Sequence, residues 1–425
     1  MKVYLDTIGC RLNQSEIEQF ARQFRSAGHE IVDSAGKADV VVVNTCTVTS
    51  QAASDSRQKI RQAARAGKAE ILVTGCWSTL EPQAALALPG VRRLVPNDDK
   101  DHLVSGYLNL PEERFDLEPL AREPLPGLHL RTRAFLKVQD GCDNHCTYCI
   151  TRIARGAGRS VPVSQVIAEV QAAQEGGVNE VVLSGVHLGS WGSDFPKPVH
   201  LYHLIEAILK ETDVPRLRLS SLEPWDLHEE FFGLWENPRM CRHLHLPLQS
   251  GSAATLQRMA RKTTPESFSR LVELARRAAP EMAITTDLIA GFPGETGPEF
   301  EEGLRFVEQM QFAGGHVFAY SERPGTPAVR LPNAVPYAER RERGARLREA
   351  IARSNLAFRK NQLGKEVTVL WESTDSTGPQ GWRLHGLTDH YLKVRAYSPE
   401  RLWNRFDRVR LTELTEDGLL GVIQE

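Results

Sequence analysis

Cys142, Cys146 and Cys149 follow at once on the short run Phe135-Leu136-Lys137-Val138-Gln139 and the turn Asp140-Gly141. A run that short, closed by glycine, reads as a buried strand, so three thiols project from one loop at the carboxyl end of a β-strand. That is where α/β barrels place reactive groups. Thiolates are soft ligands that suit zinc or iron-sulfur clusters. Structural zinc asks for four ligands, usually in two pairs, and no second pair follows within the usual distance. Three thiolates on a cubane leave one iron open to an exogenous ligand, the arrangement needed to bind and reduce a small molecule. The competing reading is three buried structural cysteines.

The strand before this loop opens a series. Runs at 135–139, 180–184, 216–221, 243–248, 284–289 and 316–320, mostly separated by helical intervals, predict six parallel βα units, a partial (βα)6 barrel over residues 131–336. Ahead of it, strands at 3–8, 40–44 and 70–74 alternate with helices at 15–27 and 52–66, which predicts a doubly wound parallel sheet over residues 1–110. Pro111, Pro119, Pro124 and Pro126 mark residues 111–130 as a linker. Residues 337–363 form a basic connector helix, with Arg340, Arg341, Arg343, Arg346, Arg348, Arg353, Arg359 and Lys360 against Glu339, Glu342 and Glu349. Short strands at 366–371, 392–396, 408–414 and 421–423 predict a small antiparallel β-barrel over 364–425. The class is α/β, and 425 residues with 41% hydrophobic and 25% charged side chains suit several globular domains.

Cys10, Cys46 and Cys76 are dispersed, yet each stands just past the end of a predicted N-terminal strand. Parallel strands gather their carboxyl ends around one crevice, so these thiols are expected to converge. Asn13, Ser15, Thr49 and Ser50 read as helix N-caps, and helix N-termini there favour an anionic group. Taken singly, each of these cysteines suits core packing; taken together, they form a second ligand triplet. Cys241 has no such partner and reads as structural. Residues 1–8 carry no basic segment before an apolar one, and the longest apolar runs are of strand length. The expectation is a cytoplasmic protein with no membrane segment, in which disulfides are disfavoured.

The Cys142 loop, with Tyr148 before its last cysteine, resembles the signature of the radical S-adenosylmethionine superfamily. The resemblance implies a 4Fe-4S cluster on Cys142, Cys146 and Cys149 whose open iron chelates S-adenosylmethionine and cleaves it reductively. A three-cysteine N-terminal domain, a radical domain and a small C-terminal barrel together resemble the methylthiotransferases over essentially the whole chain. The stretches Gly9-Cys10-Arg11-Leu12-Asn13-Gln14-Ser15-Glu16, Asn44-Thr45-Cys46-Thr47-Val48-Thr49 and Val182-Leu183-Ser184-Gly185-Val186-His187-Leu188-Gly189 look most like those acting on threonylcarbamoyladenosine in tRNA. What this implies is a second 4Fe-4S cluster on Cys10, Cys46 and Cys76, a tRNA substrate and an electron donor of flavodoxin or ferredoxin type, with the sulfur donor left open. The implied reaction takes hydrogen from C2 of the modified adenine beside the anticodon, inserts sulfur and methylates it with a second S-adenosylmethionine. Two enzyme alternatives act on isopentenyladenosine tRNA or on a ribosomal protein aspartate. Their signatures carry Gln-Met-Asn or Pro-Lys-Asn where Arg11-Leu12-Asn13 stands here. A third alternative is a non-catalytic iron-sulfur RNA-binding protein.

Strand ends of the radical domain nominate Gly185 for close backbone approach, Ser221 and Glu223 for contacts to ribose or amino group, and Gln249. The segment Asp287 to Glu295 resembles the family's stretch near the adenine, which nominates Asp287 and Gly291; Asp287 equally suits a satisfied polar residue on a strand. Where the family commonly has proline after the last cysteine, Ile150-Thr151-Arg152-Ile153 precedes Ala154-Arg155-Gly156. Arg155 and Arg159 offer bidentate forks for carboxylate or phosphate, or a solvated surface. From Gly364 the chain resembles a TRAM domain, which implies tRNA docking. Residues 362–425 hold 8 Lys plus Arg against 10 Asp plus Glu, so phosphate attraction falls to local patches or the connector helix. Trp382, Tyr391 and Trp403 could stack on bases or pack the barrel core.

Overall fold

A computed structural model describes the chain at residues 1–112, 115, 132–379 and 381–424, with residues 376 and 377 as backbone alone. Most of the expected linker at 111–130 lies outside the described residues. Strands β1 (Lys2–Thr7), β2 (Glu30–Ile31), β3 (Val40–Thr45), β4 (Glu70–Gly75) and β5 (Val91–Val95) form one parallel sheet in the order β2-β1-β3-β4-β5. The order reverses at the β1–β3 boundary, so a crevice opens past the carboxyl ends of those strands. Helix Arg11–Ser26 lays Ile17, Phe20 and Phe24 on Val3, Leu5, Val40 and Val42. Helix Ser50–Ala66 lays Ile60 and Ala63 on the opposite face, against Val41, Val43, Ile71 and Val73. Both faces of β3 are covered, which is why its sequence is continuously apolar rather than alternating.

The first helix starts earlier than expected, immediately after Cys10. Cys10 itself occupies the N-cap position without a side-chain cap. Asn13 and Ser15 therefore lie inside the helix, and Asn13 Nδ2 instead donates to the carbonyls of Ile8 (2.8 Å) and Thr45 (3.0 Å), tying β1 to β3. Thr49 caps the second helix as expected, accepting from Ala52 N at 3.0 Å; Ser50 is its first helical residue.

The radical domain contains β6 (Arg133–Lys137), a ribbon of β7 (Gln139–Asp140) and β8 (Arg159–Ser160), then β9 (Glu180–Ser184), β10 (Arg216–Leu219), β11 (His243–His245), β12 (Ala283–Ala290) and β13 (Gly314–Ala319). Parallel sheets β10-β9-β6 and β11-β12-β13 meet through the bridges Leu217–Met240 and Ser221–His245. The six expected strands thus run in sequence around an incomplete barrel. Its core packs Leu136, Val181, Leu183, Leu217, Leu219, Leu244, Ile284 and Leu288 beneath the surrounding helices.

Strands β14 (Glu366–Gly378), β15 (Gly381–Thr388), β16 (Lys393–Ser398), β17 (Phe406–Leu414) and β18 (Leu419–Ile423) close a C-terminal barrel. Its pairings are antiparallel except β16 with β18, which is parallel. Two arginines of β10 fasten it to the radical domain. Arg216 donates to the carbonyls of Thr368 (2.7 Å) and Leu387 (3.1 Å), and Arg218 to those of Asp389 (2.9 Å) and Thr388 (3.1 Å). Buried Glu180 supplies their counter-charge, 2.7 Å from Arg218. The connector is helix Tyr337–Lys360. Much of its basic charge is neutralised against the radical domain: Arg343 pairs with Glu295 (2.7 Å), Arg346 with Glu301 (2.5 Å) and Arg353 with Glu308 (2.6 Å). Those guanidinium groups are committed to carboxylates, so the helix is a weaker phosphate attractor than its sequence implies.

Candidate active site

The loop that carries Cys142, Cys146 and Cys149 is pinned at both ends. Cys142 N donates to Gly156 O (3.0 Å), Thr147 N to Met259 O (3.0 Å) and Cys149 N to Cys146 O (3.1 Å). Gly141 has φ +68°, and a Cβ there would meet Ala157 O at 1.8 Å, so only glycine lets the chain turn out of β7 into the loop. Donors surround the sulfurs. Asn144 N points at Cys142 Sγ (3.4 Å), buried Arg261 reaches Cys146 Sγ (4.0 Å), and the amides of Thr151 and Arg152 face Cys149. His187 lies against Cys142 and Asp226; burial opposes its charge, but these two hydrogen bonds outweigh it and push its pKa up to about 10. Burial holds the Cys146 and Cys149 thiols above their ordinary pKa. Metal binding there must release protons, and the ring of donors suits thiolates on an anionic cluster.

Cys10, Cys46 and Cys76 converge as expected past β1, β3 and β4. A Cβ on Gly9 (φ +110°) would stand 2.6 Å from Cys46 Sγ, and each thiol's charge would bear on its neighbours. Cys46 N donates to Ser56 Oγ (3.0 Å), whose hydroxyl returns a bond to Cys46 O (3.1 Å). Asn97 Nδ2 faces Cys76 Sγ at 3.7 Å. Burial pushes Cys46 up to about 11. Arg155, fully buried, lies close to Cys10 and Cys76 and donates to Asn13 Oδ1 (2.8 Å), Asp140 Oδ1 (2.8 Å) and Glu16 Oε1 (3.1 Å). It reads carboxylates, but inside the protein and at a domain boundary. Arg159 is half-exposed near Asp98 and Asp140. Among the described residues no three Cys, His, Asp or Glu donors converge closely enough for a single metal ion. A cubane takes each thiolate on a different iron and so asks for sulfurs that stand farther apart than the donors of a single ion.

One cleft of about 1210 Å³ joins the three domains. Its wall includes Cys10, Arg11 and Cys46 from the first, Gly185, Ser221, Asp287 and His316 from the second, and His385, Tyr391 and Arg395 from the third. Three of the nominated cofactor contacts therefore face it: Gly185, Ser221 and Asp287. Asp287 sits between His316 Nδ1 (3.1 Å) and His245 Nε2 (3.3 Å); burial disfavours its charge, yet these hydrogen bonds hold its carboxyl well below the usual range.

The other nominees stand elsewhere. Glu223 pairs with Arg261 (2.7 Å), which also lies over Trp225, so it acts on the cysteine loop through that arginine. Gln249 has φ +70° and bridges Leu288 by backbone. Gly291 backs onto Arg340, where a Cβ would come within 2.5 Å of the side chain. Tyr148 is edge-on to Phe292 beneath the loop. Trp382 packs on the C-terminal barrel core and Trp403 is half-buried. Tyr391 instead stacks on His243, with ring centroids 4.8 Å apart. Cys241 is buried, with its thiol pushed up to about 12 by burial, and contributes to no triplet. Sequence reasoning passed over His243, His245, His316 and Arg261. The histidines occupy strand positions that alternation could have flagged as facing the barrel interior.

Comparison with known proteins agrees with this architecture. Residues 136–307 match the radical SAM superfamily, and residues 2–95 match a family described as uncharacterized protein family UPF0004. A threonylcarbamoyladenosine tRNA methylthiotransferase MtaB of Thermotoga maritima is 37% identical over 430 residues, 99% of this chain and 96% of the relative. Its Bacillus subtilis counterpart is 35% identical, over 96% and 93% of the two chains. A tRNA-2-methylthio-N(6)-dimethylallyladenosine synthase of Wolbachia pipientis is 30% identical over 99% of this chain and 98% of the relative. Among solved structures, the radical S-adenosylmethionine methyltransferase TsrM from Kitasatospora setae superposes with TM-score 0.60 at 16% identity, covering 77% of this chain and 75% of that one, a likeness of fold alone. Matched along nearly its whole length and carrying the barrel loop with three cysteines, the chain is an enzyme that belongs to the radical S-adenosylmethionine methylthiotransferases.

Proposed function

We propose that this enzyme converts N6-threonylcarbamoyladenosine beside the anticodon of tRNA to its 2-methylthio derivative, in the cytoplasm. The observation that carries the reading is the cleft onto which Cys10 and Cys46 of the N-terminal domain, the barrel interior and the C-terminal barrel all open. Relatives bearing that activity in their names are 33–37% identical to it. Clusters of the 4Fe-4S type on Cys142, Cys146 and Cys149 and on Cys10, Cys46 and Cys76 would supply, when bound, reductive cleavage of S-adenosylmethionine and a site from which sulfur reaches C2.

The chain's own residues hold and orient. Asn144, His187 and Arg261 stabilise the thiolates of the barrel loop, while Asp226 and Glu223 fix the last two in place. Gly185 and Ser221 leave room on the barrel wall, and the Asp287 carboxylate between two histidines offers a polar floor for a base. The C-terminal barrel closes the third side, so a nucleotide must leave its helical stack to enter, as base-modifying enzymes require. Electrons come from a small flavodoxin- or ferredoxin-type donor. No helix of the described residues is long and apolar enough to cross a membrane.

Nucleoside mass spectrometry of tRNA from a deletion strain tests this reading. Loss of the 2-methylthio group from threonylcarbamoyladenosine, restored by the wild-type gene and not by a Cys46→Ala gene, is the expected result. An unchanged methylthio level in a strain with no second such enzyme defeats it.

A further inference from the structure

Among the described charged groups on the cleft wall, two guanidiniums, Arg359 and Arg11, pair with no carboxylate, and only Arg11 also lacks backbone carbonyls to take its N–H groups. Asp287 is held by two histidines, Asp375 by Arg383 and His385, Asp417 by Lys393 and Arg395, and Glu372 by Arg133. Arg359, also on the wall, donates to the carbonyls of Thr415 (2.9 Å), Glu416 (3.2 Å) and Gly418 (3.3 Å). Among the described residues Arg11 makes one hydrogen bond, to Tyr391 Oη at 2.8 Å, and lies over the rings of Tyr391 (5.4 Å) and Phe135 (5.9 Å). It pairs with no carboxylate among the described residues. The rings take its faces and leave most of its five N–H donors for a planar anion. A half-buried cation without a partner is costly to maintain unless a ligand brings the opposite charge.

We propose that Arg11 is the residue that recognises the substrate's free carboxylate and so selects a threonylcarbamoyl adenine over one with an uncharged N6 substituent. This rests on the substrate reading above. Joining threonine to N6 through a carbamoyl group leaves the amino acid's carboxylate ionised at neutral pH. In such an N6-ureido adenine the distal N–H can close a hydrogen-bonded ring onto N1, which turns the threonyl group toward the C2 edge. Arg11 is adjacent in sequence to Cys10 and shares the cleft with Cys10 and Cys46. A carboxylate bound at Arg11 therefore brings C2 toward the thiols of the N-terminal triplet. A dimethylallyl group offers nothing for a guanidinium to bind and would leave Arg11 uncompensated. The discrimination thus has an attractive element for one substrate and a desolvation cost for the other.

The test uses anaerobically prepared enzyme with both clusters and four anticodon stem-loop RNAs, carrying threonylcarbamoyladenosine, its methyl ester, dimethylallyladenosine or unmodified adenosine. Wild-type enzyme should prefer acid over ester by on the order of 100-fold in kcat/KM, the loss of one charge-assisted bidentate contact. Arg11→Gln should bring that ratio near one, Arg11→Lys should restore part of it, and Tyr391→Phe, which removes only the intramolecular hydroxyl, should keep it. If Arg11→Gln fails to retain both clusters by iron content, the lysine variant carries the comparison. An unchanged acid-to-ester ratio in Arg11→Gln overturns the proposal. So does weakened binding of acid and unmodified RNAs by the same factor, which would mark Arg11 as a phosphate contact. Wild-type enzyme that ignores the acid RNA yet methylthiolates a dimethylallyl RNA defeats the substrate reading itself, and the role of Arg11 with it.

Discussion

Arg155 donates a 2.8 Å hydrogen bond to Asn13 Oδ1 across the boundary between the radical domain and the N-terminal domain. Each residue follows a cysteine closely: Arg155 ends helix Thr151–Arg155, six residues after Cys149, and Asn13 lies in the first turn behind Cys10, whose thiol it faces at 3.7 Å. Around this bond, Glu16 gathers Lys100 (2.6 Å) and Arg155 (3.1 Å), and Asp140 completes the buried network at 2.8 Å from Arg155. The two triplets are therefore held in a fixed relation by charge as well as by packing.

Breaking this network on one side should cost more than its surface-exposed counterparts. Glu16→Gln leaves Lys100 and Arg155 buried with one counter-charge fewer, and removal of one partner from a buried pair typically destabilises by about 3–5 kcal/mol. Urea unfolding of the Glu16→Gln protein should show a loss of that order. A change below about 0.5 kcal/mol would mean that water reaches the network.

Two glycine substitutions should separate the triplets functionally. In Gly141→Ala the new methyl meets Ala157 O and the barrel loop cannot close, so 5′-deoxyadenosine formation is lost. In Gly9→Ala the methyl collides with Cys46 Sγ and with no atom of that loop among its nearest neighbours, so cleavage of S-adenosylmethionine persists while methylthio product falls at least about 100-fold. Chromatography of both products from the same reactions decides the matter. Equal loss of both in Gly9→Ala would contradict the division of labour.

The Asp287–His316 pair sets a pH window. His316 is raised above its ordinary 6.5, chiefly by its hydrogen bond to Asp287, so its contribution to stability is complete below that value and is lost as pH rises through the folded pKa. Asp287 is depressed below 3.8, so its contribution is present above that value and is lost as pH falls through its folded pKa. The pair is thus strongest from about pH 4 to 6.5. His316 is largely exposed, so His316→Gln should lower stability by only about 0.5 kcal/mol at pH 5.5 and by less at pH 9. Thermal unfolding at the two pH values checks the difference; a larger loss at pH 9 would reverse the sign.

The features that sequence reading captured share one physical trait: they are local. Residues 40–44, 70–74 and 180–184 are covered on both faces, so their apolar runs announce strands directly. Cys46 and Cys76 follow such strands, Cys10 follows their neighbour in the same sheet, and the barrel loop follows the first strand pair of its domain, so topology alone could place them. Strands β2 and β5 escaped because one has two residues and the other carries Arg92 and Arg93 on an exposed edge. Strand β15 escaped because Gly381, Arg383 and Gly386 blur its alternation. What the chain brings together over long separations was illegible. Arg11 and Tyr391 are 380 positions apart, and the carboxylates that neutralise the connector helix belong to the radical domain. Gly291, nominated from its motif as a cofactor neighbour, lies close to Arg340, a contact its motif does not announce.

The most direct test counts iron. Protein prepared anaerobically and assayed for iron and acid-labile sulfide should hold about eight irons per chain, and about four when Cys10, Cys46 and Cys76 are all alanine or when Cys142, Cys146 and Cys149 are. About four irons in the wild-type chain, unchanged by replacing the N-terminal triplet, would contradict the account.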